Sequence, residues 1–212
     1  MAGALVLASL SVLVGLDASS LFVDEVYSWQ AANVASSQVQ AQVLANEVAP
    51  ATYYLGLHAW IRAVGDSEWA MRLPSALAAI ALVAAVAWLA YRAAGRYAAA
   101  VGALLAAVSP LVLQYGQQVR AYIFAMFAVT IAAACALEFD RATPERRRRW
   151  YVATLVACLG AFWIHYTAGL VVFVLLAWLA TRSDLLSRRE RGVGVGVVAV
   201  LCLGLGGQMR TS

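Results

Sequence analysis

The chain contains no lysine, so all of its fixed positive side-chain charge is carried by 15 arginines. Charge of either sign is scarce, at 12% of residues, where a soluble domain carries roughly 25%. Histidine occurs twice, proline four times and cysteine three times in 212 residues. Cys135, Cys158 and Cys202 each lie inside apolar runs, which excludes a disulfide framework and reads them as small buried hydrophobes. There is no glycine-rich phosphate loop, no nucleophile elbow and no His/Cys spacing that would hold a metal, so the common soluble-enzyme motifs are excluded. The net charge of +4 does not point to nucleic acid, because the arginines flank apolar runs as topology signals do.

What the chain has instead is apolar surface, with 64% of its residues hydrophobic. No protein core of this size hides that much, and lipid is the natural place for it. A span needs about 20 mostly apolar residues. The first run, residues 2–16 with an extension to 22, is short, and it lacks the basic flank of a secretory signal; a cleaved signal is the alternative for it. Residues 24–73 are mixed in polarity and read as a long loop on the membrane surface. It holds one amphipathic helix over 24–43 and a second running from Pro50 past Trp60 to Val64. Gly65-Asp66-Ser67 then reads as a helix stop followed by a cap. Further spans are expected over 74–91, 97–113 with Ser109-Pro110 bending its end, 121–139, 150–166 and 168–180, with a weak, glycine-rich one over 192–207. The expected fold is an all-α, polytopic bundle of about seven spans with a long first outer loop.

The arginines set the orientation. With the N-terminus in the cytoplasm, the cytoplasmic connections hold 11 of the 15 arginines, from Arg92 and Arg96 through Arg141 and Arg146–Arg149 to Arg182, Arg188, Arg189 and Arg191. The positive-inside rule favours that arrangement in a multi-pass protein of the cell membrane. Trp88, Trp150, Trp163 and Trp178 fall near span ends, as interfacial aromatics do. The long loop, residues 114–120 and His165-Tyr166 then share the outer face, and three polar clusters on one face suggest a site there.

Each candidate residue has two readings. Asp24-Glu25 follows the first span and is either a general base held close to the bilayer or a pair of acids favoured by a helix start. Arg120, after Gln114, Tyr115, Gln117 and Gln118, either grips a phosphate through its two-pronged guanidinium or reaches for head groups. His165 and His58 have a substrate or metal role or are packed interfacial residues. Tyr53-Tyr54 is an interfacial aromatic pair or a platform for a sugar. Arg146–Arg149 fixes topology and touches anionic lipid.

The order of these motifs resembles the start of GT-C glycosyltransferases, specifically the family of protein O-mannosyltransferases and bacterial aminoarabinose transferases. The likeness is carried by Asp24-Glu25 in a long outer loop, Pro50-Ala51-Thr52-Tyr53-Tyr54 leading to His58-Ala59-Trp60, and the run from Gly65 through Arg72 to Ser75. It continues with Ser109-Pro110, with Tyr115-Gly116-Gln117-Gln118-Val119-Arg120-Ala121-Tyr122, and with His165-Tyr166. It implies transfer of a sugar from a polyprenyl phosphate to an acceptor (protein, lipid or glycan) on the outer face. Asp24 would be the base, Glu25 its acidic neighbour and Arg120 the phosphate ligand. Gln117, Tyr122, Arg72, Tyr53, Tyr54, His165 and Tyr166 would line the substrate site. No cofactor is required, although a divalent cation can assist; no residue is assigned to a metal, and the other partner is membrane lipid, not nucleic acid. The chain departs from the pattern at Ala49-Pro50-Ala51, where the family often has His-Pro-Pro, and at Gln118, where it has glutamate. Family members also continue beyond the length of this chain, so residues 1–212 are expected to be the N-terminal part of such a domain. The competing reading is a non-catalytic membrane protein: an inactive fragment, an assembly partner or a transporter piece.

Overall fold

The computed structural model describes residues 2–46 and 49–208, and all regular structure among them is helical. Helix α1 (Ala2–Leu13) ends at a turn where Gly15 takes φ +77°, a left-handed conformation that glycine adopts without steric penalty. Where one amphipathic helix was expected over 24–43, the chain forms α2 (Val23–Ala32), a 3₁₀ turn (Ser36–Gln38) and α3 (Val39–Asn46). Asn33, Ser36 and Ser37 compete with the helix for backbone hydrogen bonds. The break lets α3 fold back, so that Val39 and Val43 are buried in one cluster with Ala31 and Tyr54. Helix α4 (Thr52–Val64) starts two residues after Pro50 and buries Tyr54, Leu57 and Ile61 along one face, the i, i+3, i+7 spacing of an amphipathic helix.

The expected stop and cap are both present. Gly65 closes α4 at φ +104°, and Ser67 Oγ accepts the backbone N–H of Ala70 (3.2 Å) at the start of α5 (Glu68–Ala107). This helix opens ahead of Pro74, the residue expected to begin the second span. A proline inside a helix cannot donate to the carbonyl four residues earlier, here that of Ala70. The Trp60 indole N–H donates to that same carbonyl (2.8 Å), so the proline is accommodated by a side chain from α4.

Helix α5 is two antiparallel arms. The chain reverses at Ala94 (φ −143°) and Gly95 (φ +85°), which returns Gly102 to Val86 and Ala90. A Cβ added at Gly102 would lie 3.2 Å from Ala90 Cβ. After a break at Val108-Ser109, Pro110 occupies the first turn of α6 (Pro110–Gly116), so the expected span 97–113 is interrupted where its Ser-Pro pair stands. Then follow α7 (Tyr122–Arg141), α8 (Pro144–Ile164), a 3₁₀ turn (Tyr166–Ala168), α9 (Gly169–Thr181) and α10 (Arg188–Gln208).

The rods alternate in direction. Gln117, past the end of α6, caps the end of α1. Asp140 near the end of α7 pairs with Arg182 at the end of α9 (2.8 Å). Tyr151 at the start of α8 donates to the Glu190 carbonyl at the start of α10 (2.9 Å). Alanines dominate the close contacts: Ala76, Ala79, Ala87, Ala103 and Ala107 are buried with Val12, Leu82 and Ile123. Small residues let helices approach within lipid, where burial of apolar area gives little driving force between helices. A second cluster around Phe139, Phe162, Val172 and Leu201 joins α7 to α8, α9 and α10. Large apolar side chains such as Leu170, Val174 and Leu203 face outward, as a lipid boundary permits.

Glu68–Ala107 and Tyr122–Arg141 are the helices long and apolar enough to cross a membrane among the described residues; α1 and α9 are apolar but shorter. The expectation of about seven spans is thus narrowed to an all-helical fold with two such helices among the described residues. Cys135 and Cys158 are buried as expected, whereas Cys202 is exposed.

Candidate functional site

The lower layer of the site is an ion pair. Glu25, in the first turn of α2, and Arg72, in the second turn of α5, are 1% and 2% exposed. Arg72 Nε donates to Glu25 Oε1 (2.9 Å) and Nη2 to Oε2 (2.7 Å). The remaining donors of Arg72 go to the carbonyls of Leu16 (2.7 Å), Ser19 (2.8 Å) and Ser20 (3.2 Å), so all five guanidinium N–H groups are used. Glu25 also accepts the backbone N–H groups of Phe22 (3.0 Å) and Val119 (2.9 Å), which fills its four acceptor positions. Burial, the largest single influence, pushes the Glu25 carboxyl up, but the Arg72 hydrogen bonds and the two backbone N–H groups together outweigh it and hold the group below its ordinary 4.5. One saturated pair therefore fastens the turn after α1, the start of α2, the start of α5 and the segment that delivers Arg120.

Above it stand Asp24, which is exposed, Tyr115, Tyr122 and His165, which are half-buried, and Arg120, which is buried. Asp24 neighbours Glu25 on α2, but its side chain faces outward. Arg120 Nη1 donates to the Asp24 carbonyl (3.3 Å) and Nη2 to the Tyr122 hydroxyl (3.4 Å), with the guanidinium carbon 5.4 Å from the Tyr122 ring centre. Tyr122 packs between Tyr115 and His165, both with ring centres 4.9 Å away. His165 Nδ1 accepts the Thr167 backbone N–H (3.3 Å), which places the proton of the neutral ring on Nε2. Segments distant in sequence thus converge, with a carboxylate, a guanidinium, two phenols and an imidazole at one end of the bundle.

The other expected residues sort differently. Gln117 donates to the carbonyls of Ser11 (3.1 Å) and Val14 (3.2 Å), so its amide closes the end of α1. Tyr54 is buried in the cluster around Val39 and Val43, and Tyr166 packs on Phe162 and Trp163. Tyr53 meets Phe124 (5.6 Å between ring centres) and lines an apolar cavity of about 290 Å³ with Trp60, Pro74 and Ile164. His58 Nδ1 is 2.7 Å from the Ala32 carbonyl, an acceptor only, so the ring donates there and ties α4 to the end of α2. Tyr115 and the cavity residues Trp60 and Phe124 were not singled out as site residues by sequence; the aromatic spacing of Tyr115 and Tyr122, two turns of chain apart, was the available signal. Among the described residues no three His, Cys, Asp or Glu stand together as metal ligands, so no ligand set is assigned to a divalent cation.

Residues 48–205 match the family described as dolichyl-phosphate-mannose-protein mannosyltransferase. The chain belongs to this family. The match supports the GT-C resemblance and covers Tyr53, Arg72, Arg120, Tyr122 and His165, while Asp24 and Glu25 precede it. Membership makes the protein a membrane glycosyltransferase in general class. No curated protein and no solved structure matches the chain.

Proposed function

We propose that this mannosyltransferase-family chain moves a sugar from a polyprenyl phosphate to an acceptor hydroxyl or amine at the outer membrane face. The observation that carries the reading is the placement of Arg120 between the Asp24 segment and the Tyr115–Tyr122–His165 stack. As the acceptor heteroatom bonds to the anomeric carbon, its proton passes to the Asp24 carboxylate. The bond from that carbon to the phosphate oxygen breaks, its electron pair stays on the phosphate, and Arg120 stabilises the charge that develops there. The products are the glycosylated acceptor and polyprenyl phosphate.

Glu25 and Arg72 act in this scheme as positioning residues, since their hydrogen-bonding capacity is used within the protein. The cavity beside Tyr53, Trp60 and Phe124 suits the first isoprene units of the donor, because it is apolar and its lining, mostly from α4 and α5, includes Phe124 of α7 and Ile164 of α8, close in sequence to Tyr122 and His165. The outer orientation is supported by the gathering of Arg92, Arg96, Arg141, Arg146–Arg149 and Arg182 at the end of the bundle away from this site. The rods α1, the two arms of α5 with α6, α7, α8, α9 and α10 would supply the seven crossings.

Donor binding and turnover with a polyprenyl-phosphate sugar test the reading. Arg120→Ala should weaken donor binding strongly, and Arg120→Lys should recover only part, since lysine keeps the charge but loses the fork. Asp24→Asn should leave donor binding intact and cut turnover by roughly 10²–10⁴-fold, the usual worth of general-base catalysis. Unchanged donor binding in Arg120→Ala, or unchanged turnover in Asp24→Asn, refutes the assigned role.

A further inference from the structure

A second concavity lies at the other end of α7, about 30 Å from Tyr122 by helix rise. Its volume is about 510 Å³, and its wall includes Trp88 and Arg92 from the first arm of α5, Glu138 and Arg141 from α7, and Arg146 and Trp150 from α8. Arg92 pairs with Glu138 (Nη2 to Oε2, 2.9 Å), and Arg141 donates to the Arg92 carbonyl. That pairing consumes the only acid in the wall. The nearby Asp140 is bound to Arg182, and Glu145 is exposed outside the wall. Two guanidinium charges, Arg141 and Arg146, are therefore uncompensated by any acid of the wall, and the N-terminus of α8 adds the positive end of its dipole. No hydrogen bond or ion pair of the Arg146 side chain is seen among the described residues; its electrostatic neighbour is the fully exposed, solvent-screened Glu145. Trp88 and Trp150 stand beside these charges with ring centres 6.2 Å apart.

We propose that this cup binds the phosphate head of an anionic phospholipid, at the membrane face opposite the transfer site. Arginine matches a phosphate through parallel hydrogen bonds, and tryptophan sits at head-group depth in membrane proteins. A wall that combines the two fits an amphipathic ligand better than a free anion, which would gain nothing from the indoles. Its place beside Arg147–Arg149, at the end where arginines gather, puts it where an anionic leaflet attracts basic residues. The site is independent of the transfer reading, because none of its residues serves that reaction.

The test uses the full chain in detergent, titrated with dihexanoyl phosphatidylglycerol, dihexanoyl phosphatidylcholine and inorganic phosphate. The glycerol lipid should bind more tightly than the choline lipid, and inorganic phosphate should compete poorly. Arg146→Gln should weaken the anionic lipid about fivefold, the worth of one arginine near a charged surface, while Arg149→Gln, on the same helix but outside the wall, should not. Arg146 is exposed, so an unchanged melting temperature of the lipid-free variant checks that the fold is kept. Equal affinity for the two lipids, an equal loss in Arg149→Gln, or binding of inorganic phosphate as tight as that of the lipid would each overturn the proposal.

Discussion

Asp24 and Glu25 are adjacent carboxylates with different work, and the division follows from which way each points on the first turn of α2. Glu25 turns inward to Arg72, and both are saturated; Asp24 turns outward. Removing one partner of a buried pair leaves an uncompensated charge, at a cost of about 3–5 kcal/mol. Glu25→Gln is therefore expected to lower stability by that order, with activity falling because Arg120 loses its anchor through Val119. Asp24→Asn should leave stability near that of the parent. The pH dependence has a definite sign. The folded Glu25 carboxyl titrates below 4.5, so its contribution is fully present above that pH and is lost as pH falls through the lower, folded value. Denaturant melts of parent and Glu25→Gln at pH 7 and below pH 4.5 check this: the difference between them should shrink only on the acid side. A gap of less than about 1 kcal/mol at pH 7 would show that the pair does not hold these segments together.

At the scale of elements, a tight crossing lies at Gly116, where α6 passes between α1 and α5. A Cβ there would lie 2.8 Å from Ala79 Cβ and 2.9 Å from Val12 Cγ1, closer than packed side chains tolerate, and neither neighbour is the end of a flexible chain. Gly116→Ala should cost about 1–3 kcal/mol, the usual cost of overpacking, whereas Gly56→Ala, with open space around it, should be neutral or stabilising. Equal stability of the two variants would refute the crossing. This contrast also shows what sequence could reveal. Ser67 as a cap, Gly65 as a stop, and a reversal between Arg92 and Arg96 were legible because each is a local signal: a side-chain oxygen before a helix, a residue free to take positive φ, charges that end an apolar run. The break of 24–43 was not read, although Asn33, Ser36 and Ser37 are local signals for it; what sequence could not show is where α3 folds back, because that depends on Val39 and Val43 meeting Tyr54. The pairing of Glu25 with Arg72 was also hidden, since both were conspicuous singly but stand 47 residues apart, and no periodicity links them. Gln117 illustrates the same limit: sequence marks it as a polar residue in a motif but does not show that its amide reaches the end of α1.

At the scale of the molecule, the bundle has two unlike ends. One carries the Glu25–Arg72 anchor, Asp24, Arg120 and the aromatic stack; the other carries most of the arginines and the Trp88–Trp150 cup. α7 joins them, with Tyr122 at one end and Arg141 at the other. The central claim is that these ends face opposite sides of a membrane, with sugar transfer at the first. It is tested most directly by labelling single cysteines, introduced into the full chain after Cys135, Cys158 and Cys202 are replaced by alanine, with a membrane-impermeant maleimide in intact cells. Ser37→Cys and Thr167→Cys, at exposed positions of the transfer end, should label. Arg96→Cys and Arg148→Cys, exposed at the arginine end, should label only after the membrane is opened. Labelling of both ends from outside, or of the arginine end alone, would contradict the account.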